Sequence, residues 1–469
     1  MTVYYDELFG LCGFQDKEIE KERVRIEKVF EKIGIGPDDM DRIVKRVNEQ
    51  FDIQLLGVRK LLRAWLLELL DLSLAKEEKK KVVYYGYPSI QGPGMAIKAA
   101  GGEGLYVGCP DAILCHTVGM IFDKLTPMLE AGENGGLPPG HGLCSLQQIR
   151  SGALALGIIP VPDLVTGSSY YCDMGSKADE LLHEIYGHPS IYIDGSMDSK
   201  WGEFPSCDPE RIKFLGQQIN KLFDKVKEHI GVEVNGSSLE KATQISRELF
   251  SELGQLTYLM MADPMPISGV ASGMAINLAA ASTGRSMTEG PDVIKTLCGE
   301  VRERINKGLG VVEKGAPRVL NFAQHFSDPG ITHMMEEAGL AVAASFVTVP
   351  PGKRDPSLTL NNISEKMAEA GLRGGAYHGT YGFAKRFADA VRELKIDGVL
   401  WGYQYNCRPI ALGSHLFKQF IEEETGVPVL SLEMDLYESR SYGVENLRTK
   451  VETFAEILKA KKATETQGN

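Results

Sequence analysis

The chain has 469 residues, 43% of them hydrophobic and 24% charged, so it is longer than one ordinary core and two or three domains are expected. Its formal net charge of −12 excludes a nucleic-acid binder, which needs a basic surface. No apolar run approaches the roughly 18 residues of a membrane span, and Met1 to Asp6 lacks a secretory signal, so a cytoplasmic protein away from membranes is expected.

From Asp16 to about Lys80 the pattern is helical. Val24, Ile26, Val29, Phe30 and Ile33 alternate with Lys and Glu, and a second apolar helix covers Ile53 to Leu74. Gly34 to Asp39 separates them, with Pro37 opening the next segment. This N-terminal helical segment, residues 1–79, reads as a cover over the following lobe or as a dimerisation arm. A first α/β lobe is expected over residues 80–207. Lys80 to Gly86 is β-branched and aromatic, as a buried parallel strand is. A helix from Met95 to Ala100 and a strand from Leu105 to Val107 complete a β-α-β unit. The glycines at 92, 94, 101, 102 and 104 lack dinucleotide-loop spacing and read as loops. Residues 208–315 form a helical bridge, interrupted at Asp263-Pro264-Met265-Pro266. The second α/β lobe, residues 316–469, opens with a strand from Arg318 to Phe322, a helix around Met334 to Ala338 and a strand from Leu340 to Phe346. A helix from about Val444 to Lys461 closes the chain, with a fraying tail from Thr464 to Asn469.

The two lobes repeat each other. Asp163 to Asp173 and Asp397 to Arg408 each run from an Asp through a short apolar strand and a Gly- and Tyr-containing loop to a Cys. Each is followed by a helical stretch, a Gly-x-Pro (Gly187-His188-Pro189 and Gly426-Val427-Pro428), and a strand ending in acid at Asp194 or Asp435. The alternation predicts two open, mostly parallel, Rossmann-like sheets bridged by helices. Ligands of such sheets sit beyond the carboxyl ends of the strands. A thiol presented there by each lobe points to a shared redox or metal site.

The chain has 8 cysteines, which in a reducing compartment favour metal binding or catalysis over disulfides. Cys109, Cys115, Cys144, Cys172, Cys207 and Cys407 lie in or beside Gly- and Pro-containing loops, where backbone amides reach sulfur. Cys298 falls on a helix and Cys12 near the terminus, and both read as small core hydrophobes. Thiolates without a His pair favour iron–sulfur over zinc. Spacing alone leaves a cluster, inert thiols, zinc and thiol catalysis all open. His116, His141 and His183 are candidate proton donors, although a lone His is more often a hydrogen-bonded bystander.

Cys144-Ser145-Leu146-Gln147-Gln148-Ile149-Arg150-Ser151-Gly152, with the two repeated cysteine segments and Glu300 to Ile305 before Arg318, resembles the 2-hydroxyacyl-CoA dehydratase and benzoyl-CoA reductase superfamily. The resemblance covers roughly Lys80 to Leu458. It implies that Cys144, Cys172 and Cys407 hold one cubane with an open fourth iron position. It further implies a separate ATPase that injects low-potential electrons, since this chain has no phosphate loop, and a homodimer. Two features depart from the dehydratases. The first helix opens with Pro93-Gly94-Met95 where they carry Pro-Glu, and Cys109, Cys115 and Cys207 exceed one cubane's needs. Six loop thiolates look most like the double-cubane cluster proteins, with an [8Fe-9S] cofactor that reduces small molecules. The alternatives are a dehydratase or aryl-CoA reductase subunit with one [4Fe-4S] cluster, and a non-catalytic electron-storage protein.

Overall fold

The computed structural model describes residues 3–86, 91–136, 144–169, 172–195, 199–322, 327–345, 355–374, 378–438, 440 and 443–467. Two four-stranded sheets organise it. The first contains β1 (Lys81–Tyr85), β2 (Leu105–Gly108), β3 (Leu164–Ser168) and β4 (Ser190–Ile193) in the order β2-β1-β3-β4. The second contains β5 (Arg318–Asn321), β6 (Ala341–Ser345), β7 (Gly398–Tyr403) and β8 (Val429–Glu433) in the order β6-β5-β7-β8. Every strand pairing in both is parallel. The expected pair of open parallel lobes is therefore present, and the order reverses between the first and third strand of each, where a crevice opens.

The duplication extends to single hydrogen bonds. Asp163 Oδ2 accepts from the Val82 amide at 2.7 Å, tying the start of β3 to β1. Asp397 Oδ2 accepts from the Arg318 amide at 2.7 Å, doing the same for β7 and β5. In both sheets the acid satisfies a backbone amide near the start of the neighbouring strand. Val165 and Val399 likewise donate to Pro189 and Pro428, the prolines of the two Gly-x-Pro corners.

Side chains on the second sheet divide by strand period. Val399 and Trp401 join Phe322, Phe383, Phe387 and Phe417 on one face. Leu400 points the other way, to Ile331, Met334, Val451, Phe454 and Leu458. The first sheet instead shares one continuous core with the N-terminal helices and the bridge. Those helices are Asp16–Ile33, Met40–Gln50 and Leu56–Leu74, with a further short one, Asp6–Leu11, that the sequence pattern missed. Gly34 ends the first at φ +73, a left-handed conformation that suits glycine.

The bridge helices are Pro209–Ile230, Gly236–Leu259, Gly269–Ala281, Gly284–Thr288 and Gly290–Asn306. The Glu300 carboxylate accepts from the amides of Leu56 and Gly57 at 2.8 and 2.7 Å, closing the N-terminus of Leu56–Leu74. Fully buried Glu68 accepts from the Tyr106 hydroxyl at 2.8 Å, the Arg285 amide at 3.0 Å and the Ser282 hydroxyl. The N-terminal segment is thus fastened to both first sheet and bridge.

Two local expectations differ from the structure. Gly92 and Gly94 lie in the first turn of the helix Gln91–Gly101, where Pro93 is also tolerated because those amides lack intrahelical acceptors anyway, and Gly101 ends that helix with Gly102–Gly104 in a following 3-10 turn. The closing helix runs to Gln467 instead of fraying from Thr464. Nothing between Lys461 and Gln467 breaks a helix, and Lys462 Nζ anchors it to Asp397 at 3.1 Å. Phe346, Tyr170, Tyr171 and the loop at 137–143, with His141, lie outside the described residues.

Candidate metal centre

Cysteines open helices throughout this region. Cys144 precedes Ser145–Ala155, Cys172 precedes Asp173–Tyr186, Cys407 precedes Arg408–Ala411 and Cys109 precedes Pro110–Leu114. A sulfur at that place meets free amides and, where the helix is long enough, the positive end of its dipole. The amides of Gln147, Ile410 and Ala112 stabilise the thiolates of Cys144, Cys407 and Cys109 respectively.

Cys144, Cys172 and Cys407 come together from both lobes. Burial raises the Cys144 thiol well above its ordinary range, and the adjacent Cys172, Asp435 and Cys407 raise it further. Burial, with Cys172, pushes Cys407 up to about 12. All three residues are partly exposed, and none is in a disulfide. Three crowded thiols whose ionisation is mutually opposed become compatible when a cation replaces their protons. The donor set fits an iron–sulfur cluster, whose ligands are thiolates. Among the described residues, no three His, Cys, Asp or Glu side chains converge on a single-ion position. A cluster, which carries several irons between its sulfurs, asks for a wider spacing than one ion does.

Cys109 and Cys115 are fully buried. Burial raises the Cys115 thiol, as do Asp111, Cys109, Asp435 and Cys144, which places it beside both groups. Cys207 has other company. Its Sγ lies 3.8 Å from His378 Nε2, and burial lifts it to about 11 among Arg211, Glu369, Glu203 and Arg373. Cys12 and Cys298 are both buried in the core, where sequence placed them. Cys298→Ala is expected to leave iron content and activity intact and to reduce stability by roughly 1 kcal/mol. Loss of iron on that change, measured against unfolding temperature, would show the thiols to be wrongly sorted.

Arg150 aligns three of the cysteine-bearing helices. It lies on the helix opened by Cys144, and its Nη2 pairs at 2.5 Å with Asp179, on the helix opened by Cys172. Its Nε lies 3.4 Å from Asp111, on the helix opened by Cys109. Tyr192 on β4 donates to Asp179. All three ionic side chains are buried, so breaking the set would strand a charge. Burial, opposed by Arg150 and reinforced by Asp179, raises Asp111 to about 6. Sequence reading found Arg150 within its motif but missed Asp111, Asp179 and Tyr192, because helical carboxylates carry no mark of a distant partner.

The candidate proton donors are dispersed. His116 stacks on Trp65 at 4.6 Å and its Nδ1 bonds the Ala112 carbonyl at 2.8 Å. Burial holds its pKa down to about 4, which keeps the ring neutral. His183 Nδ1 bonds the His188 carbonyl at 2.6 Å, on the outer side of its helix. A groove of about 950 Å³ runs between Gln91–Gly101 and the second-lobe helix Ile363–Leu372. Met95, Leu215, Phe250 and Met367 line it with Arg247 and Lys366.

Two open, all-parallel four-stranded sheets joined by helices define a two-lobed α/β protein. Residues 97–458 match the family described as 2-hydroxyglutaryl-CoA dehydratase, D-component, and the chain belongs to it. The chain is 22% identical over 310 residues to the (R)-phenyllactyl-CoA dehydratase alpha subunit of Clostridium sporogenes, covering 66% of this chain and 73% of that one. It is 21% identical over 333 residues to a benzoyl-CoA reductase subunit of Thauera aromatica, covering 65% and 72%. It is 19% identical over 311 residues to the alpha subunit of (R)-2-hydroxyglutaryl-CoA dehydratase of Acidaminococcus fermentans, covering 64% and 61%. The resemblance read from the sequence is borne out at the level of this superfamily, and the chain is a component of an enzyme of that dehydratase and reductase class. Among the described residues, no helix is long and apolar enough to cross a membrane.

Proposed function

We propose that the chain is the cluster-bearing catalytic component of an ATP-activated reductase, receiving low-potential electrons from a separate ATPase and working as a two-fold pair. The observation that carries this is the proximity of Cys144 and Cys172 of the first lobe to Cys407 of the second, each close enough to oppose another's ionisation. When bound, an iron–sulfur cluster supplies single electrons at low potential. The chain's own groups orient it: three thiols as ligands, the amides of Gln147 and Ile410 on two sulfurs, and Arg150 holding the helices in register. Cys115, close to both Cys109 and Cys144, supports a second, linked cubane and hence the double-cubane form acting on small molecules. Cys207 would complete six ligands only by leaving its contact with His378.

A second reading is favoured by a different observation. The groove of about 950 Å³ is large for a small molecule such as acetylene, azide or hydrazine. The dehydratase and benzoyl-CoA reductase relatives are named for CoA-linked substrates, which are larger. This reading carries one [4Fe-4S] cluster, although none of Cys144, Cys172 and Cys407 lines the groove. An electron-storage role would use the same thiols without turnover.

Iron and acid-labile sulfide on anaerobically purified protein separate the cluster forms. About eight irons per chain are expected for two cubanes and about four for one, while bound zinc without iron overturns both. The activity assay offers 2-hydroxyacyl-CoA and small unsaturated or N–N bonded substrates side by side, with ATP, a strong reductant and the partner ATPase. Small-molecule reduction is expected. Fast dehydration alone favours the second reading, and no turnover of either favours electron storage.

A further inference from the structure

One carboxylate links the two halves of the thiol site. Asp435 lies just past β8 and is buried, at 6% exposure. Its Oδ1 accepts from the Ser145 hydroxyl at 2.6 Å and from the amides of Tyr437 and Glu438 at 2.9 and 3.1 Å. Its Oδ2 accepts from Gln404 Nε2 at 2.7 Å. Gln404 cannot turn, because its Oε1 accepts from the Leu436 amide at 2.8 Å. Ser145 adjoins Cys144 in the first lobe, and the Gln404 carbonyl accepts from the Cys407 amide at 3.0 Å in the second. A path of short bonds therefore runs from Cys144 through Ser145, Asp435 and Gln404 to Cys407.

We infer that Asp435 is a positioning residue that sets where Cys144 of the first lobe stands relative to Cys407 of the second, and thereby how the thiol set receives its cluster. The inference rests on the cluster reading proposed above. Folding the β8 turn requires only the bonds to Gln404, Tyr437 and Glu438, all within the second lobe. The bond to Ser145 crosses between lobes, to a residue 290 positions away, and is made beside a candidate ligand. Partners in that place fix ligand orientation, and their loss weakens metal binding without unfolding the chain. The Asp435 charge also acts directly on Cys144 and Cys115, as expected of a group at the edge of the thiol set.

The test compares full-length wild type with Ser145→Ala, Asp435→Asn and Asp435→Ala. Ser145→Ala removes only the cross-lobe bond and leaves the β8 turn intact, so it decides the matter if Asp435→Ala fails to fold. Iron affinity, the electron paramagnetic resonance spectrum of the reduced protein and unfolding temperature are measured on each. In iron-free protein, a short bis-maleimide reports how readily Cys144 and Cys407 are joined, read by peptide mapping. The expected result for Ser145→Ala is a near-native unfolding temperature with iron affinity roughly tenfold weaker, a shifted spectrum and slower cross-linking. Wild-type affinity, spectrum and cross-linking in both Ser145→Ala and Asp435→Asn would overturn the inference. If wild type itself binds no iron, the cluster reading fails, and the cross-linking rates still decide whether Asp435 places the thiols.

Discussion

Replacing Cys407 with Ser is expected to bleach the visible absorption of anaerobically purified protein while leaving the chain folded. Cys144→Ser and Cys172→Ser are expected to do the same. Each change removes one anionic ligand, and a neutral hydroxyl does not replace a thiolate on iron. The fall in iron affinity should exceed the roughly 100-fold that can follow loss of an outer-shell partner. Folding should survive because Cys407 is partly exposed and opens a helix of only 4 residues. The measurement is iron per chain beside the unfolding temperature of the iron-free protein. Normal iron in Cys407→Ser would sink the assignment of the site.

Gly152→Ala is expected to have the largest effect on stability of any single methyl added to the site's scaffold. Helices Thr126–Asn134 and Ser145–Ala155 cross with their backbones in contact. A Cβ at Gly152 would lie 1.7 Å from the Met128 carbonyl oxygen, and one at Gly132 would lie 2.4 Å from that of Gln148. Backbone cannot turn aside as a side chain can, so the helices must separate. Overpacking of this kind costs about 3 kcal/mol or more, and the displaced helix carries both Cys144 and Arg150. Iron content and unfolding temperature should therefore fall together. Gly299→Ala is the control: it lies on a helix with nothing within 4 Å of the added carbon. That change should stabilise by up to about 1 kcal/mol, from helix propensity alone. Equal unfolding temperatures for Gly152→Ala and wild type would refute the close crossing.

What was legible in the sequence was local or repeated. The strand at Lys80 to Gly86 was found because β-branched and aromatic residues are bounded by charge and glycine. The equivalence of Asp163 with Asp397 was found because a duplicated fold repeats its chain order. The cross-lobe bond from Ser145 to Asp435 was not legible. A serine after a cysteine and an aspartate after a strand are each commonplace, and nothing in either segment names the other. Cys207 shows the opposite failure. Phe204-Pro205-Ser206-Cys207-Asp208-Pro209 has the loop composition of the other thiol segments, but its surroundings are set by Arg211 and His378, which composition does not report. The glycines at 92 and 94 read as loop because they lack dinucleotide-loop spacing, yet the crossover helix expected from Met95 begins four residues earlier and takes them in.

The shared strand order of the two sheets has one more consequence. Cys172 and Cys407 are counterparts, each following the third strand of its lobe. Cys144 opens the helix before β3, and the corresponding helix before β7, Gly379–Glu393, is opened by His378. That histidine packs against Phe204 and Cys207. Where the first lobe presents the Cys144 thiol, the second presents an imidazole, so the two lobes do not offer the same donor at corresponding positions. Any group seated between the lobes therefore meets unlike surroundings on its two sides, so the doubled fold builds an asymmetric centre.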